Sequence, residues 1–197
     1  TTAQPATCGD FNLDGSVRHQ PSVWPYTTGD VQWTNFSFTY GTVSYRAKFP
    51  SSDTSTWPAI WLLGSNCQAT NIVTADVGYD TCPFLGAPGY VEIDMTECYG
   101  ISWCQLALDQ PNGFPTCQYP VDGNWHTYSM NWTPSAISVS VDGVPTGCSY
   151  TAANGYVIPQ TPMFLLIQTQ TGGSGGTPNN NTLPATLQVS NVTVTQP

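Results

Sequence analysis

A chain of 197 residues with 18 Gly, 17 Pro and no long run at helical spacing fits one all-β domain of many short strands joined by turns. Twelve Asp and Glu stand against only Arg18, Arg46 and Lys48, a net charge of −9, which argues against nucleic acid or an anionic membrane as partner. No stretch of about 18 apolar residues occurs, so no helix of this sequence would span a bilayer.

The chain opens on Thr1-Thr2-Ala3-Gln4-Pro5, without the basic and apolar regions of a signal peptide, as a processed or trimmed product would. Seven cysteines in a loop-rich, lysine-poor sequence suggest an oxidising compartment and hence a secreted protein. Local spacing suggests Cys67 with Cys82, Cys98 with Cys104 and Cys117 with Cys148. Cys8 is then free or paired outside the segment, and connectivity stays open at this stage. A zinc site is a poor alternative, because His19 and His126 are far apart and no pair has the usual ligand spacing.

Residues 1–35 read as turn-rich, broken by Cys8-Gly9-Asp10, Leu13-Asp14-Gly15 and Thr28-Gly29-Asp30. From there alternation is clear: Phe36, Phe38 and Tyr40 on one parity, then Val43, Tyr45, Ala47 and Phe49 on the other, with a turn or bulge at Tyr40-Gly41-Thr42. Arg46 and Lys48 fall on the polar face of the second strand. Trp57-Pro58-Ala59-Ile60-Trp61-Leu62-Leu63 is a dense apolar strand whose proline suits an edge or a strand start. Residues 64–89 form a long loop rich in Gly and Pro, of a kind that is often functional or stapled.

That loop leads into Val91-Glu92-Ile93-Asp94-Met95-Thr96-Glu97, which holds the only two glutamates of the chain. Val91, Ile93 and Met95 alternate with Glu92 and Asp94, the pattern of a strand with one face on a core and the other on an open surface. Glu97 has the wrong parity. A β-bulge at Met95-Thr96 would return it to the acidic face. Three acids on one face repel each other, and glycoside hydrolysis supplies a reason for them: a retaining glycosidase needs a nucleophilic carboxylate and a protonated carboxyl about 5 Å apart. The ends of the segment span about 13 Å between Cα atoms at ~3.3 Å per residue, within reach of two converging glutamates. An intervening aspartate that shares a proton with a neighbour helps hold the two acidities apart. The spacing does not fit an Asp-x-Asp-x-Asp-Gly calcium loop.

Glu92-Ile93-Asp94-Met95-Thr96-Glu97, with Trp57 to Leu63 before it and Trp125-His126-Thr127-Tyr128 and Asn131-Trp132-Thr133-Pro134 after it, resembles glycoside hydrolase family 16 in its laminarinase-like branch. The likeness runs from Tyr40 to the closing strand at Leu187 to Thr195. It implies a concanavalin-like jelly-roll β-sandwich of two curved antiparallel sheets, with a glycan groove on the concave one and retaining endo-hydrolysis of a β-glucan. Carried over by position, Glu92 would be the nucleophile, Asp94 its helper and Glu97 the general acid/base. The expected substrate-binding residues are Trp57, Trp61, Tyr90, Trp103, His126, Gln168 and Gln170.

The sequence also departs from the family. Relatives often have Trp-Pro-x-x-Gly just before the first glutamate, where this chain reads Ala87-Pro88-Gly89-Tyr90-Val91. Tyr90 or Trp103 would take over the stacking. Asn131 stands where relatives often have glutamate, and Gln168-Thr169-Gln170-Thr171-Gly172-Gly173 where many have an asparagine. Ser190 occupies the place of an aspartate linked to a structural calcium, which weakens that expectation; no other metal or cofactor is expected.

Downstream, Cys98 to Cys117 reads as a short crossing with a clamped turn. His126, Tyr128, Met130 and Trp132 share one face of a strand, and His126 matches a family histidine placed near the acids. It would bond a substrate hydroxyl or Asp94, with a buried structural histidine as the alternative. Ile137, Val139 and Val141 alternate up to Asp142-Gly143, a hairpin signal. Met163 to Gln170 is apolar and then amide-rich. The last strand shifts parity between Val189 and Val192. Together these features predict a monomeric, secreted endo-β-1,3-glucanase, with β-1,3-1,4-glucan as a second substrate. A lectin-like module and a transglycosylase on the same fold are the alternatives.

Overall fold

The computed structural model describes residues 6–11, 17–24, 29–33, 35–50, 55–67, 89–99, 102–110, 113–172 and 175–197, the first two ranges by backbone alone. In chain order the strands are β1 (Ala6–Phe11), β2 (Val17–Trp24), β3 (Gly29–Gln32), β4 (Gly41–Lys48), β5 (Thr56–Gly64), β6 (Glu92–Cys98) and β7 (Trp103–Asp109). They continue with β8 (Thr116–Pro120), β9 (His126–Thr133), β10 (Ala136–Val141), β11 (Val144–Thr151), β12 (Met163–Thr171) and β13 (Gln188–Thr195). A five-stranded sheet ordered β11-β10-β9-β4-β13 faces a six-stranded sheet ordered β3-β12-β5-β6-β7-β8, and among the described residues β1 pairs only with β2. Every pairing is antiparallel.

Alternation decides which side chains meet between the sheets. β4 buries Val43, Tyr45 and Ala47 and turns Ser44, Arg46 and Lys48 outward; β9 buries Tyr128, Met130 and Trp132. From the other sheet Ile60, Leu62, Ile93, Met95, Leu106 and Tyr119 complete the core. Each such side chain contributes about 1.5–3 kcal/mol relative to exposure. Cys117–Cys148 joins β8 to β11, tying the edge of one sheet to the edge of the other.

Two turns need their particular residues. Tyr40 and Gly41 have φ of 64° and 127°, and a Cβ on Gly41 would lie 2.3 Å from the Thr195 carbonyl oxygen. Only glycine fits there. Asp142 and Gly143 have φ of 50° and 78°, the pair of left-handed residues that a two-residue hairpin turn between β10 and β11 requires.

Several expectations change. The first 35 residues carry three strands rather than turns alone: Cys8-Gly9-Asp10 lies inside β1, where the register with β2 shifts, as a glycine in a strand often marks. Phe36 to Tyr40 is not a regular strand; Phe38 makes an isolated bridge to Met163. Pro58 is on a central strand, flanked by β12 and β6, but the pairing with β6 begins only at Ala59, so its missing N–H costs no bond there. Within 98–117 stand β7 and the start of β8, and Cys98–Cys104 is a bond between directly opposed residues of β6 and β7. Cys67 is disulfide-bonded, and its expected partner Cys82 lies outside the described residues.

Candidate active site

The register of β6 settles which way its acids face. Glu92, Asp94 and Glu97 stand opposite Leu63, Trp61 and Ala59 of β5 and opposite Asp109, Ala107 and Gln105 of β7. Those partners are alternate residues of two regular strands, so all three acids share one face. Register shifts on both flanks of Met95-Thr96 absorb the extra residue, which is the bulge that the parity of Glu97 demands.

Thr96 anchors that bulge from the core side. It is fully buried, bonded to the Tyr45 hydroxyl, and 2.8 Å from the Tyr119 hydroxyl, which also lies 2.9 Å from the Met95 carbonyl. Thr96→Val keeps the shape and removes the oxygen, leaving the Tyr45 hydroxyl without this partner. The expected cost is about 1–3 kcal/mol, measured as a lower urea midpoint.

On the acidic face, Glu97 accepts three hydrogen bonds: Trp57 Nε1 at 2.8 Å and the Tyr99 hydroxyl at 2.5 Å on Oε1, and Gln105 Nε2 at 2.5 Å on Oε2. Tyr99 is itself held between Trp57 and Trp103, with ring centroids 5.8 Å and 5.6 Å away. The carboxyl is thereby fixed in direction. Glu92 accepts from Tyr90, whose ring packs on Leu63, Cys67, Phe164 and Leu166, and from Asp94. Burial, reinforced by the charges of Glu97 and Asp109, pushes Glu92 up to about 7 against the opposing effect of those two donors. Burial, then the charges of Glu92 and Glu97, holds Asp94 well above the usual carboxylate range. Asp94 is therefore the proton donor of the pair and Glu92 the acceptor.

Seen along the sheet, the same face carries Asp30, Gln168, Ala59, Glu97, Gln105 and Gln118 in one row across all six strands. Small Ala59 stands opposite Glu97 and small Ala107 opposite Asp94, while the amides of Gln168, Gln105 and Gln118 share the Glu97 row. Gln170 stands opposite Trp57 and donates to Gln168 Oε1 at 3.2 Å. Trp61 Nε1 and Asp94 Oδ2, on opposed residues, are buried polar atoms with no hydrogen-bond partner among the described residues.

Of the residues expected to bind substrate, Trp57, Trp61, Tyr90, Trp103, Gln168 and Gln170 all lie around this acidic strand. Trp57 and Tyr90 bond the two glutamates directly instead of offering only their rings. His126 does not join them. It opens β9 in the other sheet, with Nδ1 2.6 Å from Asp142 Oδ2 and Nε2 2.9 Å from Asp122 Oδ1. The physical reason is that its strand face points into the sandwich, and at the strand end the ring meets two turn carboxylates. Asp142 first, then Asp122, hold the imidazole above its ordinary value.

Tyr99, Gln105 and Asp109 were not foreseen. The only signal for Gln105 and Asp109 was their shared parity with Trp103 in Trp103-Cys104-Gln105-Leu106-Ala107-Leu108-Asp109. Among the described residues no group of three His, Cys, Asp or Glu is disposed to hold a metal.

The chain is similar to known proteins in sequence and in fold. Glucan endo-1,3-beta-glucosidase A1 of Niallia circulans is 30% identical over 186 residues, covering 86% of this chain and 26% of that protein. Keratan-sulfate endo-1,4-beta-galactosidase of Sphingobacterium multivorum is also 30% identical, over 192 residues, covering 93% of this chain and 43% of that protein. The chain thus spans less than half the length of either curated relative. A laminarinase structure from Flavobacterium sp. UMI-01 matches with a TM-score of 0.67 at 23% identity, over 85% of this chain and 72% of that one, a likeness of fold that makes the sandwich a jelly roll. The family described as "Glycosyl hydrolases family 16" matches residues 90–186, the stretch that begins just before the acidic strand. With that strand, its bulge and its jelly-roll frame in place, the chain belongs to glycosyl hydrolase family 16.

Proposed function

We propose that this protein is a secreted, retaining endo-β-glucanase that cuts β-1,3-glucan and, second, mixed β-1,3-1,4-glucan. The observation that carries the reading is the placement of Glu92 and Glu97 on one face of a bulged strand, with Asp94 donating to Glu92. Glu92 attacks the anomeric carbon as the bond to the leaving oxygen breaks, and Glu97 gives that oxygen its proton. Glu97 then takes a proton from water, whose oxygen displaces Glu92 and restores the starting configuration.

A neutral polymer suits the surface. Arg18 is on β2 and Arg46 and Lys48 are on β4, so the six-stranded sheet carries no Lys or Arg at all. A sulfated chain, of the kind the second relative's name describes, would meet five carboxylates there without a counter-cation. The test is reducing-end release from laminarin, barley glucan, lichenan, xyloglucan, agarose and keratan sulfate. Laminarin is expected to be cut fastest. Binding without release would replace the reading with a lectin-like module, and longer oligosaccharides at high substrate would make the enzyme a transglycosylase.

A further inference from the structure

Asp109 lies outside the acidic motif, yet it is the residue of β7 that stands directly across from Glu92. It is only 5% exposed and shares the face of Glu92, Asp94 and Glu97. Directly opposed side chains on antiparallel strands have Cβ atoms about 4.5–5.5 Å apart, and like charges so placed destabilise the sheet. We propose that Asp109 is a positioning residue for the reaction: its buried carboxyl, facing Glu92 across the strand pair, weakens Glu92 as an acid and so helps set the pH range in which Glu92 is a nucleophile. The proposal rests on the assignment of Glu92 as nucleophile.

Asp109 shares this role with burial and with Glu97. Facing Glu92 from its own segment are Tyr90, Asp94 and Glu97; from β7, Asp109; and from β5, the uncharged Leu63 and Trp61. On β12 the same face presents Phe164, Leu166 and Gln168, and on β3 Asp30 stands in the more distant Glu97 row. No cation on this sheet offsets the acids. The charge of Asp109 is among the influences that raise Glu92, after burial and Glu97.

The sign of the linked stability follows. Folding raises Glu92 from 4.5 to about 7, so this stabilisation is full below the unfolded value and is lost as pH rises through 7. Asp109→Asn brings the upper value down and shortens that loss. In the full chain, Asp109→Asn is expected to unfold at a higher temperature than wild type at pH 8. The gain should disappear at pH 4 and in a Glu92→Gln background. A gain equal at both pH values, or equal in both backgrounds, overturns the proposal without any reference to substrate. With laminarin, the acid limb of kcat/KM is expected to move to lower pH by about half to one unit, the size of effect a removed neighbouring charge gives. An unmoved limb in an active variant overturns it too. Inactivity of the wild type on every glucan would instead strike the functional reading and leave the unfolding result to decide this one. A carboxyl 13C titration of the unsubstituted protein needs no variant: Glu92 and Asp109 should each shift as the other ionises, and independent curves sink the idea.

Discussion

Glu92→Gln is expected to lower kcat/KM on laminarin by about 10⁴-fold or more, because the amide keeps the shape and the Tyr90 contact region but cannot form the glycosyl ester. A general loss of structure would also abolish activity, so the variant needs a signature of its own. Removing the whole side chain in Glu92→Ala and adding azide supplies it: the small anion enters from the face that Glu92 occupied and yields a glycosyl azide of inverted configuration. The wild type, tested by NMR of the first-formed sugar, should give retained configuration. Inverted product from the wild type would remove Glu92 from the role of nucleophile.

Glu97→Gln should cost less on some substrates than on others, and the contrast is the stronger test. With polymeric glucan, whose leaving alcohol needs a proton, kcat is expected to fall about 10²–10⁴-fold. With an aryl glucoside whose phenol leaves unaided, the first step is spared and the second is not, so a burst of phenol precedes slow turnover. Azide should then rescue turnover with retained configuration. Equal losses on both substrates would mean that Glu97 merely holds Trp57, Tyr99 and Gln105 in place, the three side chains that donate to it.

The part of the site that could be read from the chain was the part written along one strand. In a sequence with only two glutamates, the alternation of Glu92 and Asp94 with Ile93 and Met95 stands out, and the parity of Glu97 requires an extra residue between the two glutamates. What could not be read was the part written across strands. Period 2 tells which residues share a face but not which strand lies alongside, so Asp109 and Gln105 became visible only through the register of β6 with β7. His126 shows the same gap from the other direction. Its face is legible in the sequence, shared with Tyr128, Met130 and Trp132, but the sheet to which the face belongs depends on pairing with β4 and β10. Tyr99 was hidden because it follows the strand, where alternation no longer speaks.

The bulge at Met95-Thr96 has a consequence for how such a site can change over generations. Ordinarily, losing one codon from a strand turns everything beyond it inside out. Here the surplus residue is already looped out of the pairing, so excision of either bulge position would leave Glu97 abreast of Gln105 and Cys98 abreast of Cys104. The lineage can therefore shorten the interval between its two glutamates in a single deletion and keep both on one face of the sheet, forfeiting either what Thr96 gives to Tyr45 and Tyr119 or what Met95 fills in the core.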